Sequence, residues 1–178
     1  MNNTSLTDSF EGFTADMNVD AKRIFVGSEI TDLSFDMNFD GNDAQIDLSA
    51  VYETDTRLDL EGSLFINDGF VDVLFDKLFF KYYEFDLLNS GDIKFSYSND
   101  KLNFDSFALA HNGGMLDLGG QLSFTGNEDL TLKLRNFKLN DLNTSLLGLS
   151  AERSIDGELN LDFVMTGTAG NPVINLNY

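Results

Sequence analysis

The chain has 178 residues, 30 acidic and 11 basic side chains, and a formal net charge of −19. With no Cys and 1 His it has no disulfide scaffold, thiol nucleophile, Cys-ligated metal or His-rich zinc site. The charge repels phosphate backbones and anionic membrane surfaces, so nucleic acid is not an expected partner.

The opening run, Met1-Asn2-Asn3-Thr4-Ser5, has neither a basic n-region nor an apolar h-region and does not read as a secretory signal. Residues 1–10 read as a disordered lead-in. No stretch approaches the roughly 18–20 apolar residues of a membrane-spanning helix. From Phe13 onward one signal dominates, the alternation of apolar and polar residues. Phe13, Ala15, Met17 and Val19 alternate with Thr14, Asp16 and Asn18. Leu33, Phe35, Met37 and Phe39 follow, then Ala44, Ile46, Leu48 and Ala50, then Leu58, Leu60 and Leu64. The pattern returns at Ile93/Phe95/Tyr97, Leu102/Phe104, Leu116/Leu118/Leu122/Phe124 and Leu130/Leu132/Leu134. It ends with Leu159/Leu161/Phe163/Met165 and Ile174/Leu176/Tyr178. Successive strand side chains point to opposite faces, so each segment predicts a strand with one dry and one wet face.

Short polar runs separate these segments: Asp40-Gly41-Asn42-Asp43, Asn67-Asp68-Gly69, Ser98-Asn99-Asp100, Asn112-Gly113-Gly114 and Gly126-Asn127-Glu128-Asp129. Gly, Asn and Asp tolerate the positive φ of tight hairpins, and such short links join antiparallel neighbours. The expected fold is all-β, with about ten mainly antiparallel, up-and-down strands. Two places break the pattern. Residues 78–88 are apolar at mixed spacing, compatible with a strand pair or a helix. Residues 140–148 predict a short helix, with Asn140 as N-cap, Gly148 just beyond its end, and Leu142, Leu146 and Leu147 on one side.

The strand Leu58-Asp59-Leu60-Glu61-Gly62-Ser63-Leu64 is echoed by Leu116-Asp117-Leu118-Gly119-Gly120-Gln121-Leu122 and, in reduced form, by Ile155-Asp156-Gly157-Glu158-Leu159. Each Gly falls in the apolar phase, where it marks a bend or a close backbone approach. About ten strands with a dry face must hide it. Patterning alone leaves open a packed sandwich, a closed barrel or a trough with a greasy interior. By phase, the dry face comprises Phe35, Met37, Phe39, Ile46, Leu48, Leu58, Leu60, Leu64, Leu116, Leu118, Leu122, Leu132, Leu159, Leu161 and Phe163.

The echoed strands are followed by the run Leu130 to Asn143, by Leu146-Leu147-Gly148, by Ile155 to Leu161, and by Met165-Thr166-Gly167-Thr168-Ala169-Gly170-Asn171-Pro172-Val173-Ile174. This succession resembles the repeated β region of the TamB family (translocation-and-assembly module) within the AsmA-like superfamily. The likeness is clearest from Leu102 to Tyr178. It implies a β-taco, a U-shaped sheet whose dry face is a lipid groove. It implies a non-enzymatic segment of an inner-membrane-anchored periplasmic bridge that conducts phospholipid acyl chains to the outer membrane and supports outer-membrane assembly. The anchor and the outer-membrane-docking end are not in the sequence, so residues 1–178 read as one groove segment of a longer chain. The implied partners are acyl chains, flanking β segments and, through regions outside this sequence, an outer-membrane barrel protein.

Other chemistry is weakly represented. His111 lies in Ala110-His111-Asn112-Gly113-Gly114 and reads as a solvated turn residue rather than part of a catalytic triad. Motifs for nucleotide binding, serine hydrolysis and zinc proteolysis do not occur. The acids fall mostly on wet strand positions and turns, so paired-carboxylate chemistry has no particular support. Asp40-Gly41-Asn42-Asp43 and Gly126-Asn127-Glu128-Asp129 read as turns rather than calcium loops. Asn143-Thr144-Ser145 matches a glycosylation sequon but falls in the expected helix. No catalytic residue, metal or cofactor is expected. The competing function is a sandwich-type, adhesin-like module that binds protein or sugar through its loops.

Overall fold

The computed structural model describes residues 12–25, 29–53, 55–67, 69–141 and 155–178. The strands are β1 (Thr14–Phe25), β2 (Glu29–Asp40), β3 (Asp43–Tyr52), β4 (Thr56–Asn67), β5 (Phe70–Tyr82), β6 (Phe85–Asn89), β7 (Ile93–Ser98), β8 (Lys101–Ser106), β9 (Ala108–His111), β10 (Gly114–Ser123), β11 (Asn127–Lys138), β12 (Glu158–Thr168) and β13 (Asn171–Asn177). All of them belong to one 13-stranded antiparallel sheet with the order β1-β2-β3-β4-β5-β6-β9-β10-β11-β12-β13. Strands β7 and β8 form a second track beside β6 and β9: β5 pairs with both β6 and β7, and β10 with both β8 and β9. Thus β6 and β7 act as one interrupted strand, as do β8 and β9.

The alternation is what makes these residues strands, and the turn residues set their order. Asn99 and Asp100 have φ of 49° and 59°, and Asn112 and Gly113 have 45° and 85°. Positive φ at both central residues is the two-residue hairpin geometry that suits twisted strands. Residues 78–88, which the sequence left undecided, are the end of β5, a turn at Tyr83-Glu84, and β6. The turn expected at Gly126-Asn127-Glu128-Asp129 lies earlier, at 124–126, and β11 already begins at Asn127. Gly157 precedes β12 and is not a strand residue like Gly62 and Gly120. A helical turn begins at 139–141, but most of the expected helix, the sequon and Gly148 lie outside the described residues.

The sheet curls because irregularities on neighbouring strands line up. At β4/β5 the register shifts between Glu61 and Gly62, leaving Asp76 as an extra residue. The break between β6 and β7 lies next to it on one side. At β7/β8 the register shifts between Lys94 and Phe95, leaving Asp105 extra. On β10 the line reaches Gly120, at φ +97°. An extra residue bends its strand and increases the local twist. Asn89 bridges the first gap: its Oδ1 accepts from Leu78 N–H at 2.9 Å, and its Nδ2 donates to the carbonyls of Asp76 and Gly91. The side chain thereby replaces ladder bonds that the broken strand cannot make.

Two acids depart from the expectation that the acids are wet: Glu128, 6% exposed in the inward phase of β11, where Ser123 N–H donates to its Oε2, and the outward-facing Asp59. Asp59 is only 8% exposed, lying opposite Phe79 of β5. Burial pushes its carboxyl up, but hydrogen bonds from Arg57 and Ser49 and the charges of Arg57 and Lys77 outweigh it, so the group is held below its ordinary value of 3.8. Arg57 Nε approaches within 2.9 Å and Ser49 Oγ within 2.8 Å. A depressed carboxyl adds stability above its ordinary value and loses it as pH falls through the folded-state value. Urea unfolding of Asp59→Asn between pH 6 and pH 2 should therefore show a flatter acid limb than the parent chain. An unchanged acid limb would contradict that assignment.

Candidate functional site: the apolar face

Strand register shows what the alternation builds. Ala15, Phe39, Ala44, Leu64 and Val73 are successive cross-strand partners from β1 to β5. The row continues through Phe95, Phe104, Gly120, Leu130, Met165 and Ile174 to β13. One apolar or glycine residue thus stands on every strand along this track, from one edge of the sheet to the other. Ten spacings of about 4.8 Å give a row roughly 48 Å long. Parallel rows flank it. Val19, Phe35, Leu48, Leu60 and Leu78 form one, and Leu118, Leu132, Phe163 and Leu176 another.

All fifteen residues expected on the dry face lie on this one face, and all fifteen are half-buried. In a closed sandwich the inward residues of central strands are covered from both sides. Leu58, Leu60 and Leu64 of β4, well inside the sheet, remain half-open. A barrel is also excluded, because β1 and β13 lie at opposite ends of the strand order. The apolar edge residues Met17, Ile174 and Leu176 are 53%, 56% and 52% exposed. The face is therefore half-open over most of its length and open toward β1 and β13, while Ala44, Val73, Ile93 and Leu109 on the same face are buried.

The opposite face is polar and acidic. Asn18, Asp36, Asp47, Glu61 and Lys77 form one cross-strand row. Asn18 donates to Asp36, Asn38 donates to Asp16, and Lys77 donates to Glu61. Three carboxylates in direct succession repel one another, and only the last meets a cation on its row. The charge of −19 is thus largely kept off the apolar face.

Near one end of the face lies a cluster that the sequence did not disclose. His111 is not a solvated turn residue: it is the last residue of β9, and its side chain is 2% exposed. Its ring lies 4.3 Å from that of Phe85 and stacks on Phe137 at 6.4 Å. Nδ1–H donates to the Asp86 carbonyl oxygen at 2.6 Å, with Asp86 Oδ1 at 2.8 Å. Nε2 lies 3.4 Å from Asp141 Oδ2 and 3.3 Å from Asn112 Nδ2. Phe85 and Phe137 are 5% and 3% exposed. Burial of two aromatic side chains and a satisfied imidazole joins β6, β9, β11 and the helical turn at 139–141, closing this part of the sheet with packed rings.

The row residues Ala15, Phe95, Phe104, Leu130, Met165 and Ile174 alternate plainly in the sequence, so their phase could have placed them on the face. Val73 could not be placed this way, because the extra residue at Asp76 reverses the phase of β5 from odd-inward to even-inward. Phe79 and Leu88 face outward opposite one another, which adds to the mixed spacing there.

Fold and face together define a one-sided antiparallel trough whose end strands, among the described residues, are β1 and β13. No helix among the described residues is long and apolar enough to cross a membrane. No protein-family model, curated protein or solved structure matches the chain.

Proposed function

We propose that this chain is a non-enzymatic groove segment that holds phospholipid acyl chains along its apolar face. The observation that supports this most is the continuous apolar row from Ala15 to Ile174, half-buried or exposed at every position except the buried Ala44 and Val73. A conduit needs a continuous surface with no polar anchor, so that a chain can move without leaving a hydrogen bond behind. Each methylene taken from water contributes about 0.8 kcal/mol, wherever along the row it sits. Head groups stay in water beyond the rim. The acidic outer face keeps the segment soluble and discourages lateral adhesion to anionic bilayers.

The resemblance to the TamB-type repeated β region extends the proposal. In it the segment belongs to an inner-membrane-anchored periplasmic bridge that conducts phospholipid toward the outer membrane and supports outer-membrane assembly. Flanking β segments then continue the groove, since a row of about 48 Å barely matches one bilayer thickness of about 40–45 Å. A barrel partner would be met through other regions.

Native mass spectrometry of the full chain purified from a bacterial lysate tests the reading. Bound phospholipid that dissociates as intact molecules is the expected result. A chain recovered free of lipid, and still unbound after mixing with short-chain phosphatidylethanolamine, would overturn it.

A further inference from the structure

Of the acids with a cross-strand partner in the sheet, Glu128 alone falls in the apolar phase. Continuing the β10/β11 register one place beyond Gln121↔Asp129 sets it opposite Leu122, and on β12 it faces Gly167. Ser123 N–H, at 2.7 Å from Oε2, is its one donor among the described residues, and no Lys or Arg among them forms an ion pair with it. Burying a carboxylate with so little compensation is costly, so the position asks for a cation. Glu128 does not interrupt the apolar row, to which β11 contributes Leu130; it stands one inward place nearer the rim at 124–126. The same rim carries two exposed rings. Tyr97 of β7 faces Leu102 of β8, and Leu102 faces Leu122 of β10. Phe124 follows Leu122 by two places, and its ring lies 6.5 Å from that of Tyr97, on the same side of the sheet. Phe124 is 58% exposed and Tyr97 40%. Diagonal neighbours in a sheet lie about 7–8 Å apart, within reach of an aromatic side chain, which sets Phe124 beside Glu128. Lys101, the cross-strand partner of Ser123, is half-buried and has no ion pair among the described residues.

We propose that Glu128, Phe124 and Tyr97 form a head-group site for the ammonium end of a zwitterionic phospholipid whose acyl chains lie in the groove. This rests on the groove reading and adds the class of lipid to it. The ammonium supplies the cation that Glu128 lacks, and the exposed ring faces of Phe124 and Tyr97 attract the same charge. Tyr97 in turn donates from its hydroxyl to Asp100 Oδ1 at 3.4 Å, which puts a second carboxylate beside the rings. Lys101 offers the opposite charge to the phosphate of the same head group. An anionic head group without an ammonium brings Glu128 no cation and meets its charge with repulsion. The site lies at the rim, where head groups leave the groove, so the acyl chains still meet an apolar row.

Native mass spectrometry of the full chain with equimolar short-chain phosphatidylethanolamine and phosphatidylglycerol reads the preference. The parent chain should favour phosphatidylethanolamine by about fivefold or more. Glu128→Gln keeps an acceptor for Ser123 N–H and removes the charge, so it should hold its circular dichroism spectrum and lose most of the preference. Asp129→Asn removes the same charge from the adjacent outward position and should leave the preference unchanged, which separates a local site from the general repulsion of a −19 chain. Phe124→Leu, at an exposed position, should keep the fold and lower the preference about twofold. Free phosphoethanolamine, which has no acyl chain, should not compete. A parent chain that binds neither lipid overturns the groove and the site together. Equal binding of the two lipids by the parent would overturn the site and leave the groove standing. So would a full preference in Glu128→Gln or Phe124→Leu, an equal loss in Asp129→Asn, or competition by free phosphoethanolamine at the lipid's own concentration.

Discussion

Leu118→Asp should leave the sheet folded and abolish lipid binding. Leu118 is half-buried on the apolar face, between Leu132 and the broken β8/β9 strand. The parent side chain loses about half of its burial, roughly 1 kcal/mol, and a strand position charges about another 1 kcal/mol for Asp. At an open wall the new carboxylate still reaches water, so a domain of ordinary stability survives. An acyl chain crossing the same spot would have to strip that water, at a cost of several kcal/mol without a partner. Leu60→Arg, on the row of Phe35 and Leu48, should act the same way on the other half of the sheet. Circular dichroism and lipid co-purification read together distinguish the outcomes. A variant that unfolds indicates a packed core, and one that stays folded with its full lipid load removes that position from the groove.

Gly120→Ala should be among the most damaging single-methyl changes in the chain, and Gly119→Ala next to it nearly silent. At Gly120 an added Cβ would lie 2.0 Å from the Asp129 carbonyl oxygen, and φ is +97°. Both the backbone of β11 and the conformation of β10 resist it, so a loss of roughly 2–4 kcal/mol is expected. At Gly119 the Cβ meets nothing within 4 Å. Urea midpoints of the two variants measure the difference. Gly62 repeats the situation across the sheet, with the Leu74 carbonyl oxygen 2.2 Å from the would-be Cβ. Equal effects at Gly119 and Gly120 would show that the close approach of β10 and β11 does not hold the curl.

The echo motif thus anticipated the bends at Gly62 and Gly120 by their phase, and most of the dry face was legible for the same reason. Wherever a strand runs without an extra residue, as in β2 from Ser34 to Phe39 or in β4, alternate residues in sequence are alternate faces in space. The sequence became illegible where the sheet bends. Asp76 and Asp105 each shift the phase by one, and a period of two then reads as noise although the face continues unbroken. The two interrupted tracks also raise the number of strands to 13, against the about ten segments that the alternation marks. His111 was misread because local sequence put it beside a turn, whereas Phe85 and Phe137, distant in the chain, decide its burial. Asp59 was misread for a similar reason: Ser49, Arg57 and Phe79 make its surroundings, and only one of these is near in sequence.

The absence of Cys permits the most direct test, because single-Cys variants can each be placed on one face. Variants at Leu60, Leu118 and Phe163, and at the exposed outward acids Asp36, Asp47 and Asp117, would be exposed to a phospholipid bearing a thiol-reactive group at the end of its acyl chain. Labelling confined to Leu60, Leu118 and Phe163, and competed away by unlabelled phospholipid, is the expected result. Labelling of the Asp set at the same rate, or no competition at the Leu and Phe positions, would contradict the acyl-chain groove.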